Sequence, residues 1–222
     1  MTRQRAEATV LAVACAAALI AGGCGGDDDG GEEPAALPAG CERVEAPVPR
    51  EAQAEPPTER LRGPATAVVG TSCGSFEIEL ATARAPRTTA SFASLAEQGY
   101  YDDTPFTRIV RGFVIQGGDP TGTGTGGPGY TIDEPPTDDL SYLRGIVAMA
   151  KSPVEPPGRS GSQFFVVTAP ADAGLPPDYA LLGRVTEGLD TVERIEQLGQ
   201  PSGADGPPIA PVVVNSIEIR RG

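Results

Sequence analysis

The stretch FTRIVRGFVIQGGDP, residues 106–120, places a charged arginine within a run of apolar side chains. The neighbours of Arg108 include Phe106, Ile109 and Phe113, and the polar Gln116 follows the run. A guanidinium stays charged in proteins, and its burial is costly unless it is paired. The chain has no histidine and a single lysine, so an arginine in this setting requires a specific function or a specific partner.

The chain is acidic, and its charge is unevenly distributed. The net charge is −13 at pH 7 over 222 residues. Residues 24–60 hold ten acidic residues against three arginines, a net charge of −7, so this segment is expected to be solvated. Binding to nucleic-acid backbones needs clustered Lys and Arg, and nucleic acid is therefore not an expected partner. The 29 glycines and 23 prolines predict many turns and short strands.

The N-terminal residues have the pattern of an export signal. Arg3 and Arg5 precede an apolar run over residues 8–21, whose 14 residues are too few for a comfortable membrane span. The run ends in IAGGC, and these small residues directly before Cys24 resemble the bacterial lipobox, where a signal peptidase cuts before a cysteine that then carries lipid. We predict a signal peptide over residues 1–23 and a lipid anchor at the extracytoplasmic face of the cell membrane. The alternative is an ordinary secretory signal cut nearby, with the cysteine incidental.

The segment that follows the signal peptide contains little to bury. Its Gly, Pro and acidic residues predict a flexible tether over residues 24–60, followed by a folded domain over residues 61–222. Export favours a disulfide between Cys41 and Cys73, with two free thiols as the alternative. If Cys41 is bridged, part of the segment after it is expected to lie against the domain. The chain has no CxxC pattern and no histidine, so a metal site is not expected.

Periodicity predicts a sheet-dominated domain. Residues 75–81 alternate apolar and acidic side chains, the pattern of a half-buried strand, and residues 163–169 form a short buried-strand run. Residues 86–99 and 188–199 place apolar side chains on one helical face and end in glycine, while residues 212–220 predict a last strand. Many short strands with two helices indicate a barrel or a sandwich with helices over its ends, and composition does not choose between them.

Two local motifs resemble sites but lack the context that such sites need. Gly122, Gly124 and Gly127 fit GxGxxG, but the PGYTIDEPP that follows cannot form the helix of a dinucleotide site, so a glycine-rich turn is predicted. Ser160 and Ser162 have no histidine in the chain to activate them, and no serine nucleophile is expected.

Five segments, taken in order, resemble the cyclophilins, a family of peptidyl-prolyl cis–trans isomerases. They are FTRIVRGFVIQGGDP, GTGTGGPGY, GIVAMA, GSQFFV and YALLGRVTEGLD, and the resemblance covers roughly residues 65–220. It implies a closed eight-stranded antiparallel β-barrel capped by two α-helices. It also implies an isomerase that accelerates rotation about X-Pro bonds in Pro-containing polypeptides, without a cofactor or metal. Together with the export signal, this predicts a monomeric enzyme that assists the folding of extracytoplasmic proteins.

The resemblance also assigns roles to residues. Arg108 matches the catalytic arginine of the family segment F-x-R-x-x-x-G-F. The substrate-binding positions that it assigns are Phe113, Val114, Gln116, Ala150, Lys151, Phe165, Leu175, Tyr179 and Leu182. Among these, Phe113 and Phe165 match the aromatic residues of the proline pocket, and Gln116 matches the glutamine that hydrogen-bonds the substrate backbone. Ala150 and the residue after it match the short segment whose backbone pairs with the peptide.

Some positions differ from the family pattern, and two alternatives stay open. Thr107 stands where relatives commonly have histidine, and Arg111 stands where many have proline. One alternative function is a low-activity cyclophilin-like module that binds Pro-containing segments. The alternative role of Arg108 is structural, in a pair with an acid such as Asp119 or Glu134.

Overall fold

The computed structural model describes residues 36–222 of the chain. The predicted signal peptide, Cys24 and the first part of the predicted tether lie outside these residues. In the part that is described, neither helix has the length and apolar character needed to cross a bilayer.

Ten strands and two helices make up the described chain. In chain order they are β1 (Ala65–Thr71), β2 (Gly74–Leu80), α1 (Pro86–Glu97), β3 (Thr104–Val110), β4 (Val114–Gly117), β5 (Ile132–Asp133), β6 (Ile146–Met149), β7 (Arg159–Ser160), β8 (Phe164–Val167), β9 (Leu181–Glu187), α2 (Leu189–Glu196) and β10 (Val213–Arg221). Eight of the strands close into an antiparallel barrel in the order β1, β10, β3, β4, β8, β6, β9, β2, and β2 pairs back with β1. Strands β5 and β7 form a separate two-stranded sheet. The predicted closed eight-stranded barrel with two helices is confirmed.

The barrel interior is filled by alternate residues of its strands. In β2, Phe76, Ile78 and Leu80 are buried, while Glu77 and Glu79 between them keep part of their surface in solvent. Full burial of each such apolar side chain stabilises the fold by roughly 1.5–3 kcal/mol. The same core includes apolar residues of both helices, namely Phe92, Leu95, Val192 and Ile195. The helices therefore cover the barrel as the periodicity of their sequences predicted.

The elements predicted from periodicity are present with small shifts at their ends. The strands predicted at 75–81, 163–169 and 212–220 correspond to β2, β8 and β10, and the predicted helices correspond to α1 and α2. Pro86 occupies the start of α1, where its fixed φ and missing N–H fit the first helical position. Gly99 follows the helix with a φ of 67°, in the left-handed region that glycine adopts at low cost.

A second apolar cluster lies on the opposite face of the same strands. In β8, Phe164 belongs to the barrel core and Phe165 to this second cluster; in β4, Ile115 belongs to the core and Val114 to the second cluster. Because successive side chains of a strand point to opposite faces, the second cluster lies outside the barrel. It forms the apolar part of the site described below.

The described part of the predicted tether contacts the barrel. Residues 41–57, here called the strap, contain neither helix nor strand, and a disulfide joins Cys41 to Cys73. The N–H groups of Glu42, Arg50 and Ala54 donate to the carbonyls of Ser72, Pro120 and Pro128 at 2.7, 3.0 and 3.1 Å. The strap thus lies against the domain, as expected for a bridged Cys41, and two of its bonds reach the glycine-rich segment.

The glycine-rich segment, residues 118–131, is a set of turns organised around one carboxylate. Asp119 is fully buried. Its Oδ1 accepts the N–H of Thr121 at 2.8 Å, and its Oδ2 accepts the N–H groups of Gly124 and Gly126 at 2.7 and 3.0 Å. Burial alone would raise the pKa of Asp119, but the hydrogen bonds from Thr121, Gly126 and Gly124 more than offset this effect and hold its pKa below the usual range.

Removal of the disulfide is expected to destabilise the domain. Cys41 and Cys73 are 32 positions apart, and closure of a loop of that length contributes about 3–4 kcal/mol on the chain-entropy model. The double variant Cys41→Ser/Cys73→Ser should lower the free energy of unfolding in urea by about this amount, and reductant should not lower it further. Quantitative thiol labelling of both cysteines in unfolded wild-type protein without reductant would contradict the bond.

Loss of the Asp119 carboxylate is expected to weaken the fold in a pH-dependent manner. Asp119→Asn turns an amide nitrogen toward two N–H donors, which should cost about 1–3 kcal/mol at pH 7. Because the folded-state pKa lies below the unfolded value, this contribution is complete above the unfolded pKa and is lost as pH falls through the folded pKa. Urea unfolding at pH 7 and at about pH 3 should therefore show a large difference from wild type that shrinks in acid. The exposed position Asp138→Asn is the control, and equal stability of wild type and Asp119→Asn at pH 7 would refute the expectation.

Candidate active site

A bulge in β3 turns Arg108 out of the barrel. Strand β3 pairs with β4 so that Phe106 faces Gly117 and Arg108 faces Gln116, which leaves Thr107 as an extra residue. In a regular strand, residues 106 and 108 would share a face. The bulge shifts this alternation by one residue, so Phe106 is buried in the core while the Arg108 side chain keeps 31% of its surface exposed.

The exposed arginine lies next to an aromatic ring and an amide. Its Cζ is 5.7 Å from the ring centroid of Phe113, which lies just before β4. Its Nη1 is 3.4 Å from Oε1 of Gln116, at the outer limit of a hydrogen bond. A charged guanidinium at this distance from a ring face is attracted by the ring quadrupole. The structure thus brings together three residues that the resemblance assigned to the site.

The apolar surface beside Arg108 is built on two strands and one loop. Phe165 packs edge-on against Tyr179, with ring centroids 5.4 Å apart, and Val114, Phe113 and Leu175 belong to or pack against the same cluster. Tyr142 belongs to the same cluster, and the centroid of its ring lies 6.3 Å from that of Phe165. Tyr142 was not among the predicted site residues, and no local pattern in the sequence marks it.

The Tyr142 hydroxyl fixes the loop that carries Tyr179. It donates to the carbonyl of Tyr179 at 2.7 Å and accepts the N–H of Tyr179 at 3.0 Å. Burial raises the pKa of Tyr142 to about 12, so the hydroxyl keeps its proton at neutral pH. The loop before β9 is thereby held in place at the edge of the apolar surface.

The side chain of Leu182, which the resemblance assigned to the substrate pocket, does not reach the apolar surface of the site. It is fully buried in the barrel core, whereas the preceding Leu181 belongs to the second cluster. The pairing of β9 with β6 shifts at this point, because Val147 faces Gly183 and Ala148 faces Leu181, which leaves Leu182 as the extra residue. This extra residue places Leu182 in the core and Leu181 in the second cluster.

The side chain of Lys151 is almost fully buried and is bonded within its own loop. It is only 5% exposed, and Nζ donates to the carbonyls of Ser152 and Glu155 at 3.3 and 3.1 Å. Nζ also lies 3.8 Å from the Asp178 carboxylate and 5.6 Å from the ring centroid of Tyr179. The lysine therefore holds its own loop closed, and only its backbone remains available for the role that the resemblance assigned. The N–H of Ala150 is already donated to the carbonyl of Gln163 at 2.8 Å.

A row of amides connects Arg108 to the glycine-rich segment. Nε2 of Gln116 donates to Oε1 of Gln163 at 3.1 Å, and Nε2 of Gln163 donates to the carbonyl of Gly126 at 3.0 Å. Gln163 was not among the predicted residues, although it stands in the quoted segment GSQFFV. Both glutamines of this row also line a neighbouring pocket of about 900 Å³. Residues lining that pocket include Gln53, Gln116, Gly126, Ala150, Lys151 and Gln163.

The ion-pair partner of Arg108 is Asp205, which the sequence analysis did not anticipate. Nε and Nη2 of the guanidinium each donate to a different carboxylate oxygen of Asp205 at 2.7 Å. This hydrogen bond holds the pKa of Asp205 below its usual value. The partners considered from the sequence are engaged elsewhere: Asp119 binds the glycine-rich segment, and Glu134 accepts N–H groups at the start of α1.

The described residues of the site include no cluster typical of a metal centre. Within residues 36–222, no group of three or more Cys, Asp and Glu residues is placed to hold a metal ion. What the site offers is a permanently charged, planar donor beside an apolar surface, with amide groups along one side. Such a site can bind an apolar ring and donate a hydrogen bond to an atom next to it.

The comparisons with known proteins agree on one family. Residues 66–219 match the model for "Cyclophilin type peptidyl-prolyl cis-trans isomerase/CLD". The chain is 36% identical over 201 residues to the "Probable peptidyl-prolyl cis-trans isomerase B" of Mycobacterium leprae, covering 82% of this chain and 65% of that protein. It is 42% identical over 136 residues to the human "Peptidyl-prolyl cis-trans isomerase-like 1", covering 60% of this chain and 80% of the human protein.

The solved structures give the same result. A crystal structure of a cyclophilin-type peptidyl-prolyl cis-trans isomerase from Cryptosporidium parvum matches with a TM-score of 0.65 and 31% identity, over 72% of this chain and 99% of that chain. A second structure of the same protein, described as being in the presence of the dipeptide Ala-Pro, matches with a TM-score of 0.63 and 32% identity, over 71% of this chain and 99% of that chain. The closed barrel, the family model and these relatives together show that the chain belongs to the cyclophilin-type peptidyl-prolyl cis–trans isomerases.

Proposed function

We propose that this isomerase acts on X-Pro bonds of polypeptides outside the cytoplasm, with Arg108 as its catalytic donor. The observation that carries the proposal is the position of the guanidinium, which is partly exposed beside the apolar surface where Phe113 packs against the buried Val114 and Phe165. A pyrrolidine ring that packs on this surface would bring its nitrogen within reach of the arginine.

Rotation about an X-Pro bond needs neither a nucleophile nor an acid–base group. Amide resonance gives a barrier of roughly 18–20 kcal/mol, and uncatalysed interconversion takes tens to hundreds of seconds. When the bond is twisted, the nitrogen becomes pyramidal and its lone pair is localised. A donor aimed at that lone pair stabilises the twisted state and not the planar one, which lowers the barrier. An arginine suits this task because it is always protonated and its planar fork is rigid.

The residues around Arg108 divide the remaining tasks. The aromatic surface holds the proline ring in place, so that rotation moves the preceding residue. Gln116 is held by Gln163 and offers its amide to the substrate backbone. The pocket that this amide row lines, which also includes Ala150 and Gln53, accepts the residues that precede the proline. The relative crystallised in the presence of Ala-Pro supports Pro-containing peptides as the ligand class.

We further propose that the enzyme is exported and anchored by lipid on Cys24. The support comes from the N-terminal residues, where two arginines, an apolar run and small residues before the cysteine follow one another. The bond between Cys41 and Cys73 supports an oxidising compartment, since such bonds are rare in the cytosol. An anchored enzyme of this type would meet client chains close to the membrane surface.

Removal of the Arg108 side chain is expected to remove most activity and leave the fold intact. Arg108→Ala should lower kcat/KM on a proline-containing peptide by about 10²–10³-fold, the scale seen for loss of one preorganised donor. Arg108→Lys should also lose most activity, because an ammonium cannot reproduce the planar fork. The assay is isomerisation of the peptide, run beside thermal unfolding, and the exposed Arg184→Ala is the control.

The outcomes distinguish a catalytic Arg108, a structural Arg108 and a low-activity module that only binds the peptide. A folded Arg108→Ala protein with near-normal activity would reject catalytic donation. Activity that falls only in step with the folded fraction would indicate a structural arginine. A wild-type protein that binds the peptide but barely exceeds the uncatalysed rate would indicate the low-activity binding module.

Loss of Cys24 is expected to release the protein from the membrane. After export, Cys24→Ser should move from the membrane fraction to the soluble fraction, because no acyl chain can be attached. Cell fractionation measures the release from the membrane, and growth with labelled fatty acid measures the attachment of the acyl chain. Cys15→Ser, within the apolar run, is the matched control and should stay in the membrane fraction. If wild type and Cys24→Ser are both soluble and unlabelled, the anchor does not exist.

A further inference from the structure

The loop that follows α2 brings a carboxylate to the candidate catalytic arginine. Asp205 binds Nε and Nη2 of Arg108 through both of its oxygens, at 2.7 Å each. The two residues are 97 positions apart. The arginine side chain is 31% exposed and that of Asp205 is 63% exposed. Ion pairs this exposed contribute little to stability. We therefore consider how the contact affects the orientation of the guanidinium.

The pair leaves the reactive edge of the guanidinium available. A guanidinium presents its N–H donors along the edges of a planar fork. Asp205 occupies the edge between Nε and Nη2. The edge between Nη1 and Nη2 points away from the carboxylate, and Nη1 lies 3.4 Å from Gln116 Oε1. A substrate can therefore accept a hydrogen bond from this second edge while the ion pair stays intact.

The carboxylate is attached to the strand that carries the arginine. The N–H of Ile109, the residue after Arg108, donates to the carbonyl of Gly206, the residue after Asp205, at 2.9 Å. The loop is closed on itself by the bond from the N–H of Ile209 to the carbonyl of Leu198 at 2.7 Å. The position of Asp205 relative to β3 is thus set by backbone hydrogen bonds and not by the ion pair alone.

We propose that Asp205 is a positioning residue for the isomerase reaction. Its carboxylate fixes the plane of the Arg108 guanidinium, so that the free edge meets the prolyl nitrogen when the bond is twisted. Without it, the long arginine side chain samples several rotamers, and few of them point a donor at that nitrogen. This inference rests on the proposed catalytic role of Arg108.

The test is a kinetic comparison of Asp205 variants. A misplaced catalytic group costs up to about 10²-fold in rate, so Asp205→Ala and Asp205→Asn should lower kcat by roughly 10- to 100-fold. KM for the peptide should change less than about twofold, because the binding surface of Phe113 and Phe165 is untouched and these variants alter only orientation. Asp205→Glu keeps the charge and the bidentate geometry and should recover part of the loss. Asp205→Asn has nearly the same shape as the native residue and serves if the alanine variant folds poorly.

The chain provides a matched control for loss of an exposed ion pair. Arg159 binds Asp133 in the same way, with Nε–Oδ1 and Nη2–Oδ2 distances of 2.7 and 2.9 Å. This pair joins β5 and β7, outside the barrel sheet. Asp133→Asn should therefore leave kcat and KM at wild-type values, with a melting temperature shift similar to that of Asp205→Asn.

A double-mutant cycle shows whether Asp205 acts through Arg108. In the Arg108→Ala background, Asp205→Ala should cause no further loss of kcat, since there is no guanidinium left to position. Wild-type kcat in a folded Asp205→Asn protein, with Arg108→Ala inactive, would overturn the positioning role and leave the proposed function intact. Full activity of Arg108→Ala would instead overturn the catalytic role of the arginine. Independent losses from the two variants would also reject the inference.

Discussion

The alternation of side chains along the barrel strands is the constraint on which this structure depends. Closure of eight strands forces one face of each strand inward, and the core fills that space. The site then consists of the outward residues, such as Phe165 next to the buried Phe164 and Val114 next to the buried Ile115. Arg108 reaches the same outer surface only because Thr107 is inserted before it. The core and the site thus lie on opposite faces of the same strands.

The site operates with fixed charge and fixed hydrogen bonds. No histidine is present anywhere in the chain, and the groups that surround Arg108 are an aromatic ring, an amide and a carboxylate. Two of these are held by a further contact: Gln116 by Gln163, and Asp205 by the backbone of its loop. The mechanism proposed above requires a well-aimed donor and no proton transfer, and these hydrogen bonds would keep that donor aligned.

The sequence predicted those features that are encoded over short distances. The strand with alternating glutamates and the helices with one apolar face stand in the structure where their periods placed them, and Arg108, Phe113 and Gln116 lie together because a tight hairpin joins β3 to β4. Features that depend on the path of distant loops were missed. Asp205 becomes the partner of Arg108 only when the loop after α2 returns to β3. Leu182, which the resemblance assigned to the pocket, lies in the core because one extra residue shifts the phase of β9, and the sequence alone does not locate such insertions.

The closure of the barrel also determines how the enzyme can coexist with its substrates. Unfolded chains expose N–H and C=O groups that pair readily with any free strand edge, and such pairing seeds aggregation. Each of the eight barrel strands pairs with two neighbours, so no strand of the barrel is an edge strand. A bound polypeptide would therefore contact the enzyme through its proline and nearby residues. The rest of its backbone would find no edge strand of the barrel to pair with, which favours release.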